Sequence, residues 1–170
     1  MKGNRTLGVI LATALLLTSF ASPSAFGVAK KSNVKKLTFT ATTVSGTAFD
    51  SKILLGNKPS VIWFWAPWCG ICQNESAAMV AASQKYKSRI NFIGVGALGN
   101  PAELQEFVTK TGTSVFTNID DSSGAVWKRF GVIIQPTLVF VDRRGRITTK
   151  IGPSTASSLE KNLKTLAAKR

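Results

Sequence analysis

Apolar residues fall along this chain in two patterns: short unbroken runs, and longer stretches with one apolar face. Leu37, Phe39, Ala41 and Thr43 alternate with threonines, which predicts a half-buried strand. Ser45-Gly46 reads as a turn, with Thr47 to Asp50 as a short return strand, and Asn57-Lys58-Pro59 is a loop. Ser60 to Ala66 (SVIWFWA) is a nearly unbroken run of β-branched and aromatic residues, as expected of a strand covered on both faces. Pro67-Trp68-Cys69-Gly70 breaks it, and Cys72 to Ser88 then predicts a helix. Ile90 to Gly96 is a second buried strand. The helix that follows is marked by Asn100 as N-cap, Pro101 at its first position, Glu103 closing a capping box and Gly112 at its end.

Farther along, Phe116 to Ile119 predicts a short strand and Ser122 to Phe130 a short helix ended by Gly131. Thr137 to Val141 and Arg146 to Ile151 form a hairpin around Asp142-Arg143-Arg144-Gly145. Ser154 is the expected cap of a last helix carrying Leu159, Leu163 and Leu166 at spacings of four and three. Strands alternating with helices predict an α/β fold with a largely parallel central sheet, to which the hairpin adds antiparallel pairing. No repeat or internal boundary appears, so 37–170 is expected to be a single domain.

The N-terminus has a different composition. Lys2 and Arg5 precede an apolar run from Leu7 to Phe20, followed by the small residues Ala21, Ser22, Ser24 and Ala25. This is the layout of a secretory signal over 1–27, with cleavage after Gly27 or Ala29 fitting the small-x-small rule. An uncleaved anchor is the alternative, although such a run at 1.5 Å per residue falls short of a hydrocarbon core of roughly 30 Å. Residues 28–36 read as a basic, polar tether. Either outcome places the domain outside the cytoplasm, secreted or associated with the cell envelope.

The formal charge is +14, of which Lys2 and Arg5 contribute two. The remaining basic residues are spread along the chain, and no nucleic-acid-binding motif accompanies them. The charge is therefore read as solubility plus peripheral attraction to an anionic envelope surface, with no nucleic-acid partner.

The chain has two cysteines, Cys69 and Cys72, and no histidine. His-ligated metal sites, Cys–His pairs and c-type haem attachment are thereby excluded. A structural zinc site takes four ligands and only two thiols are present, so no metal is expected. A staple across two intervening residues closes too small a loop to stabilise much. Disulfide exchange fits better. Cys69 follows a buried strand and stands at the mouth of a helix, where unpaired N–H groups and the helix dipole favour a thiolate. Cys72 lies one turn deeper on the same face and is placed to resolve a mixed disulfide. A copper(I) chaperone is a competing use of two soft thiolates, with Met79 the nearby soft atom.

The segment Trp63-Phe64-Trp65-Ala66-Pro67-Trp68-Cys69-Gly70-Ile71-Cys72 resembles the active-site segment of the thioredoxin superfamily. Asn74-Glu75 and Gln135-Pro136-Thr137 are similar to the exported TlpA/ResA/DsbE branch, and most like the secreted DsbE-type thioredoxins of Gram-positive actinobacteria. The resemblance runs from about Leu37 to the end. It implies a thioredoxin-like α/β fold: a central mixed β-sheet flanked by helices, with an N-terminal β extension. It implies a protein disulfide oxidoreductase without cofactor, acting on exported proteins through Cys69 and Cys72 and recycled by a membrane redox partner. Pro136 matches the family's cis-proline, Gln135 would offer its backbone to a substrate strand, and Trp68 would shape the site. The alternative for Pro136 is a trans proline opening a strand. Trp65 is assigned to the core. Glu75 is a candidate for tuning the thiols, against the alternative of a solvated helix glutamate.

The departures from the family bear on the direction of reaction. Thioredoxin carries a buried aspartate at the position of Trp63 and a lysine near Gly94, both absent here, and Ile71 replaces the usual proline or histidine. A site without those groups is expected to deprotonate Cys72 poorly, which favours oxidation (or isomerisation) of cysteines in exported proteins. The alternative is a reductase serving cytochrome c maturation. A peroxidase of peroxiredoxin type is disfavoured, because the Pro-x-x-x-Thr-x-x-Cys signature does not occur around Cys69.

Overall fold

The computed structural model describes residues 33–168; the expected signal segment and residues 28–32 lie outside them. A seven-stranded sheet runs in the order β2-β1-β5-β4-β3-β6-β7. Its strands are β1 (Thr40–Thr43), β2 (Ala48–Asp50), β3 (Ser60–Trp65), β4 (Asn91–Gly96), β5 (Thr117–Asp120), β6 (Thr137–Val141) and β7 (Ile147–Ile151). The helices are α1 (Gly70–Tyr86), α2 (Pro101–Thr111), α3 (Ala125–Phe130) and α4 (Ala156–Ala168).

The central strand, β3, is buried along its whole length, as its unbroken apolar run predicts. Val61, Trp63 and Trp65 point into one core with α1, α2 and α4. Ile62 and Phe64 point into a second core with Leu37, Val126, Trp127 and Phe130. β4 makes room for this bulk. A β-carbon at Gly94 would stand 2.8 Å from Trp65 Nε1, and one at Gly96 would stand 2.6 Å from two carbons of the Trp65 ring. That ring stacks on Phe107 of α2, with centroids 4.1 Å apart, and its Nε1 donates to Asn118 Oδ1 at 3.3 Å.

The sheet is mixed rather than largely parallel. Only β3–β4 and β4–β5 pair parallel, whereas β1–β2, β1–β5, β3–β6 and β6–β7 are antiparallel. A strand's own pattern reports burial, not direction, and β6 enters the sheet beside β3 from the opposite end.

Two local expectations are corrected. Residues 33–37 are helical, so the tether expected over 28–36 is ordered at its end and the first strand starts later than Leu37. The Thr38 hydroxyl closes that turn onto Val34 O at 2.9 Å, Arg129 holds Lys35 O at 2.9 Å, and Leu37 is fully buried. At α4 the cap is Thr155, whose Oγ1 accepts from Ser158 N at 3.1 Å; Ser154 is engaged elsewhere. The expected bounds of α2 hold, with the capping box of Asn100 and Glu103 complete and Gly112 left-handed at its end.

Candidate active site

The loop from β3 to α1 carries the cysteines. Cys69 N donates to Ala66 O at 3.1 Å, which turns the chain sharply after the strand. Cys69 is then the N-cap of α1: its sulfur accepts from Cys72 N at 3.1 Å. Cys69 and Cys72 are joined as a disulfide, with Cα atoms 5.2 Å apart. The same N–H is positioned to stabilise a Cys69 thiolate once the pair is reduced, together with the partial positive charge of the helix N-terminus. Cys69 keeps 6% of its surface and Cys72 none. The asymmetry expected between the two sulfurs is present, but Cys69 is nearly buried rather than openly exposed.

Trp68 stands out from the surface beside them, 62% exposed. Its indole Nε1 donates to Leu98 O at 2.8 Å, tying the cysteine loop to the segment after β4. Leu98 takes a left-handed φ of 60° to present that carbonyl. This tie joins residues thirty positions apart and has no local signal in the sequence. Gln73 Nε2 adds a bond to Pro67 O at 3.3 Å.

The Gln135–Pro136 peptide is cis, and Pro136 is buried. Phe64 pairs with Thr137 across β3–β6, so Pro136 lies at the end of β3 from which the cysteine loop departs. The Pro136 carbonyl is occupied by Gly152 N at 2.9 Å. Among the described residues, Gln135 makes no hydrogen bond through its N–H or C=O. Ile133 and Ile134 precede it with exposed side chains, Ile133 at 90%. Together with exposed Trp68 and Ile71 they surround the dithiol end with apolar surface. Their sequence signal is an Ile-Ile pair separated from the proline by Gln135 alone. A separate groove of about 640 Å³ runs between α1 and α2 beside Trp68, and neither cysteine lines it.

Glu75 is buried, not a solvated helix glutamate: it is 8% exposed. It belongs to the inner stripe of α1 with Cys72, Ser76, Met79, Ala82, Ser83 and Tyr86. Its Oε1 accepts the backbone N–H of Ser154, whose hydroxyl is buried without a hydrogen-bond partner. Burial pushes its pKa above the ordinary carboxylate value. The Ser154 N–H, the Trp63 indole and the charge of Lys150 oppose that rise without cancelling it. The Trp63 Nε1 is close enough to favour the ionised form yet makes no hydrogen bond of regular geometry. The acid absent at the Trp63 position is absent here as read, while the candidate tuning group Glu75 is buried rather than solvated. Trp63 and Gly94 are cross-strand partners filled by aromatic packing, and the buried carboxylate comes from the helix instead. Met79 packs in the core two turns beyond Cys72.

Residues 32–150 match the AhpC/TSA family. The chain belongs to that family. Within it, the relatives are of the thioredoxin-like TlpA/ResA/DsbE branch. The soluble secreted antigen MPT53 of Mycobacterium tuberculosis is 40% identical over 126 residues, spanning 73% of this chain and 70% of that protein. The thiol-disulfide oxidoreductase ResA of Bacillus cereus is 30% identical, spanning 74% and 73%. The structure of MTB dsbF in its mixed oxidized and reduced forms superposes with a TM-score of 0.74 at 37% identity, covering 77% of this chain and 96% of that one. A secreted Mycobacterium tuberculosis disulfide oxidoreductase homologous to E. coli DsbE superposes with a TM-score of 0.71 at 32% identity, covering 78% and 98%. The α/β fold of these family members, a mixed sheet flanked by helices, is the fold described above.

Proposed function

We propose that this chain is an extracytoplasmic thiol–disulfide oxidoreductase that oxidises cysteine pairs of exported proteins through Cys69 and Cys72. One observation carries the reading: the disulfide caps a helix, with Cys69 as N-cap and its sulfur facing the N–H of Cys72. Relatives named as a thiol-disulfide oxidoreductase and as secreted proteins support both the chemistry and the location.

In this reaction a substrate thiolate attacks Cys69 Sγ, the Cys69–Cys72 bond breaks, and the electron pair leaves on Cys72. Glu75 lies one turn further along the same buried stripe, and burial raises its pKa, which makes it the candidate for handling the proton of that leaving thiolate. A second substrate thiolate then attacks the substrate sulfur of the mixed disulfide and releases the Cys69 thiolate. The substrate gains a disulfide, and the protein becomes a dithiol that a membrane redox partner must reoxidise. The free backbone of Gln135 offers an edge for an extended substrate segment, and Trp68, Ile71 and Ile133 favour apolar residues around its cysteine.

Replacing Cys72 by alanine tests the mechanism, because mixed disulfides through Cys69 should then accumulate on exported proteins. If nothing is trapped by Cys72→Ala, while Cys69→Ala likewise traps nothing, exchange at this pair is refuted. The second reading is a reductase of the same fold that serves cytochrome c maturation, in line with the similarity to ResA and DsbE-type proteins. A reduction potential near that of thioredoxin, about −270 mV, selects the reductase; a value well above it, toward the roughly −120 mV of strong oxidants, selects the oxidase.

A further inference from the structure

We propose that the end of the fold opposite the dithiol is a docking surface for anionic lipid, so that the protein lies against a membrane with its cysteines turned away. The strand register defines the two ends. Cys69 follows Trp65 at one end of β3, while Ser60, at the other, faces Asn91 of β4 and Val141 of β6. The Asp142–Arg146 turn, the 57–59 loop and the turn before β4 therefore share the far end. Arg143 Nε donates to Asn57 O at 3.1 Å, joining two of these segments. Asn33 Nδ2 donates to Gly145 O at 3.1 Å, bringing the helical residues 33–37 to the same place.

Exposed Lys35, Lys58, Arg89, Arg143 and Arg144 thus converge at this end. The carboxylates near this end are engaged by other groups: Glu160, close to Arg89, takes Lys85 Nζ at 2.7 Å and the Tyr86 hydroxyl at 2.9 Å. Asp142 is buried, with Oδ2 on Arg146 Nε at 2.6 Å and Oδ1 on the N–H groups of Arg144 and Arg146. Glu103, Asp120 and Asp121, by contrast, sit toward the dithiol end, after β4 and β5. The polarity is therefore along the molecule and not a general excess of positive charge. Apolar side chains lie among the far-end cations. Leu55 packs beside Gly145, where a β-carbon would stand 3.9 Å from its Cδ2, and Leu55, Ile53 and Val34 all remain exposed. Clustered lysine and arginine with interspersed aliphatic tips is the chemistry that an anionic headgroup layer recognises.

The point at which the described residues begin selects lipid over other polyanions. The chain enters the described fold at this same end, through Asn33, and the residues before it contain Lys30, Lys31 and the apolar run Leu7 to Phe20. The first described residues, 33–37, which follow that segment, are held beside the basic end. The assignment does not depend on the redox reading of the opposite end.

The test uses a chain starting at Val28, which keeps every residue of both cores and excludes the apolar run. Co-sedimentation is measured with vesicles of phosphatidylcholine alone and with about 30% phosphatidylglycerol, at low salt and at about 0.5 M salt. Binding is expected to the anionic vesicles at low salt only. K58E/R144E should weaken it at least about tenfold, while K128E/K161E, an equal change of charge on the α3 and α4 flanks, should weaken it less than about threefold. Equal losses from the two double variants, or no loss from either, overturn the proposal. So does failure to bind anionic vesicles, including the case in which single-stranded DNA binds and K58E/R144E abolishes that binding instead.

Discussion

The close approach of β4 to Trp65 makes Gly96→Ala a sharp probe of how the cysteine loop is held. A β-carbon at Gly96 would stand 2.6 Å from Trp65 Cζ2 and Cη2 and 3.0 Å from Leu104 Cδ2. Carbon atoms prefer about 3.5–4.0 Å, so the ring must retreat by about 1 Å. It has nowhere to go: Phe107 stacks on it at 4.1 Å, Asn118 holds its Nε1, and Gly94 already lies against that nitrogen. Overpacking of this kind costs about 1–3 kcal/mol, and the locked ring places this case near the top. Replacing a strand glycine recovers about 0.5–1 kcal/mol of backbone entropy. The net expectation is a loss of about 2 kcal/mol, or about 8 °C in Tm for a domain of this size. The assay is urea unfolding of the oxidised protein followed by circular dichroism, for Gly96→Ala, Trp65→Phe and the double variant. Trp65→Phe removes the ring that collides, so the double variant should be more stable than the sum of the single losses by at least about 1 kcal/mol. Strict additivity, or a Gly96→Ala variant within about 0.5 kcal/mol of the parent, refutes the packing argument.

For Glu75 the raised pKa means that the fold binds a proton more tightly than the unfolded chain does. Stability should therefore be higher below the unfolded value of 4.5 and fall as pH rises through the folded pKa; Glu75→Gln, read by urea unfolding at several pH values, should abolish that slope and be more stable at pH 7. Asp142 behaves oppositely. Burial pushes it up, but the N–H and guanidinium of Arg146 and the N–H of Arg144 more than compensate, and its pKa lies below 3.8. Its contribution is complete above that value and is lost as pH falls through the folded pKa, and Asp142→Asn should cost about 1–2 kcal/mol at pH 7 and nothing extra in strong acid. At Leu98, with φ of 60°, Leu98→Val should destabilise by about 1–2 kcal/mol and Leu98→Gly should not; equal losses by thermal unfolding would place the cost in side-chain contacts instead.

What could be read from the sequence is what local chemistry determines. The run Ser60 to Trp65 announced a fully buried strand, because no polar side chain interrupts its second half. The ends of α2 were legible in Asn100, Pro101, Glu103 and Gly112, since each meets a hydrogen-bond or backbone need within one turn. The direction of β6 was not, because parallel or antiparallel entry depends on where the preceding segment delivers the chain. Ser154 and Thr155 offer the same hydroxyl to the start of α4, and the choice of Thr155 depends on where the helix begins, which the local sequence leaves open by one residue. The burial of Glu75 was partly legible: Cys72, Ser76, Met79 and Ser83 recur at helical spacing, and Glu75 shares their face. Its charge argued for solvent more strongly than its phase argued for the core.

That misreading bears on the direction of electron flow. With Trp63 in place of the expected acid, the site looked unable to handle the Cys72 proton, and oxidation followed by default. Glu75 removes the premise, but it does not reverse the conclusion. A group that protonates Cys72 as the disulfide opens must accept the same proton as it closes, so it speeds both directions alike and shifts no equilibrium. Direction is set by the potential, and the potential by how well the reduced pair is stabilised. Here the stabilising features belong to Cys69: the N-cap position, the Cys72 N–H at 3.1 Å and the helix dipole all favour its thiolate. Stabilising the reduced form raises the potential and makes the disulfide the stronger oxidant. The oxidase reading thus rests on the cap of α1, whereas proton transfer at Cys72 bears only on the rate at which either reading would proceed.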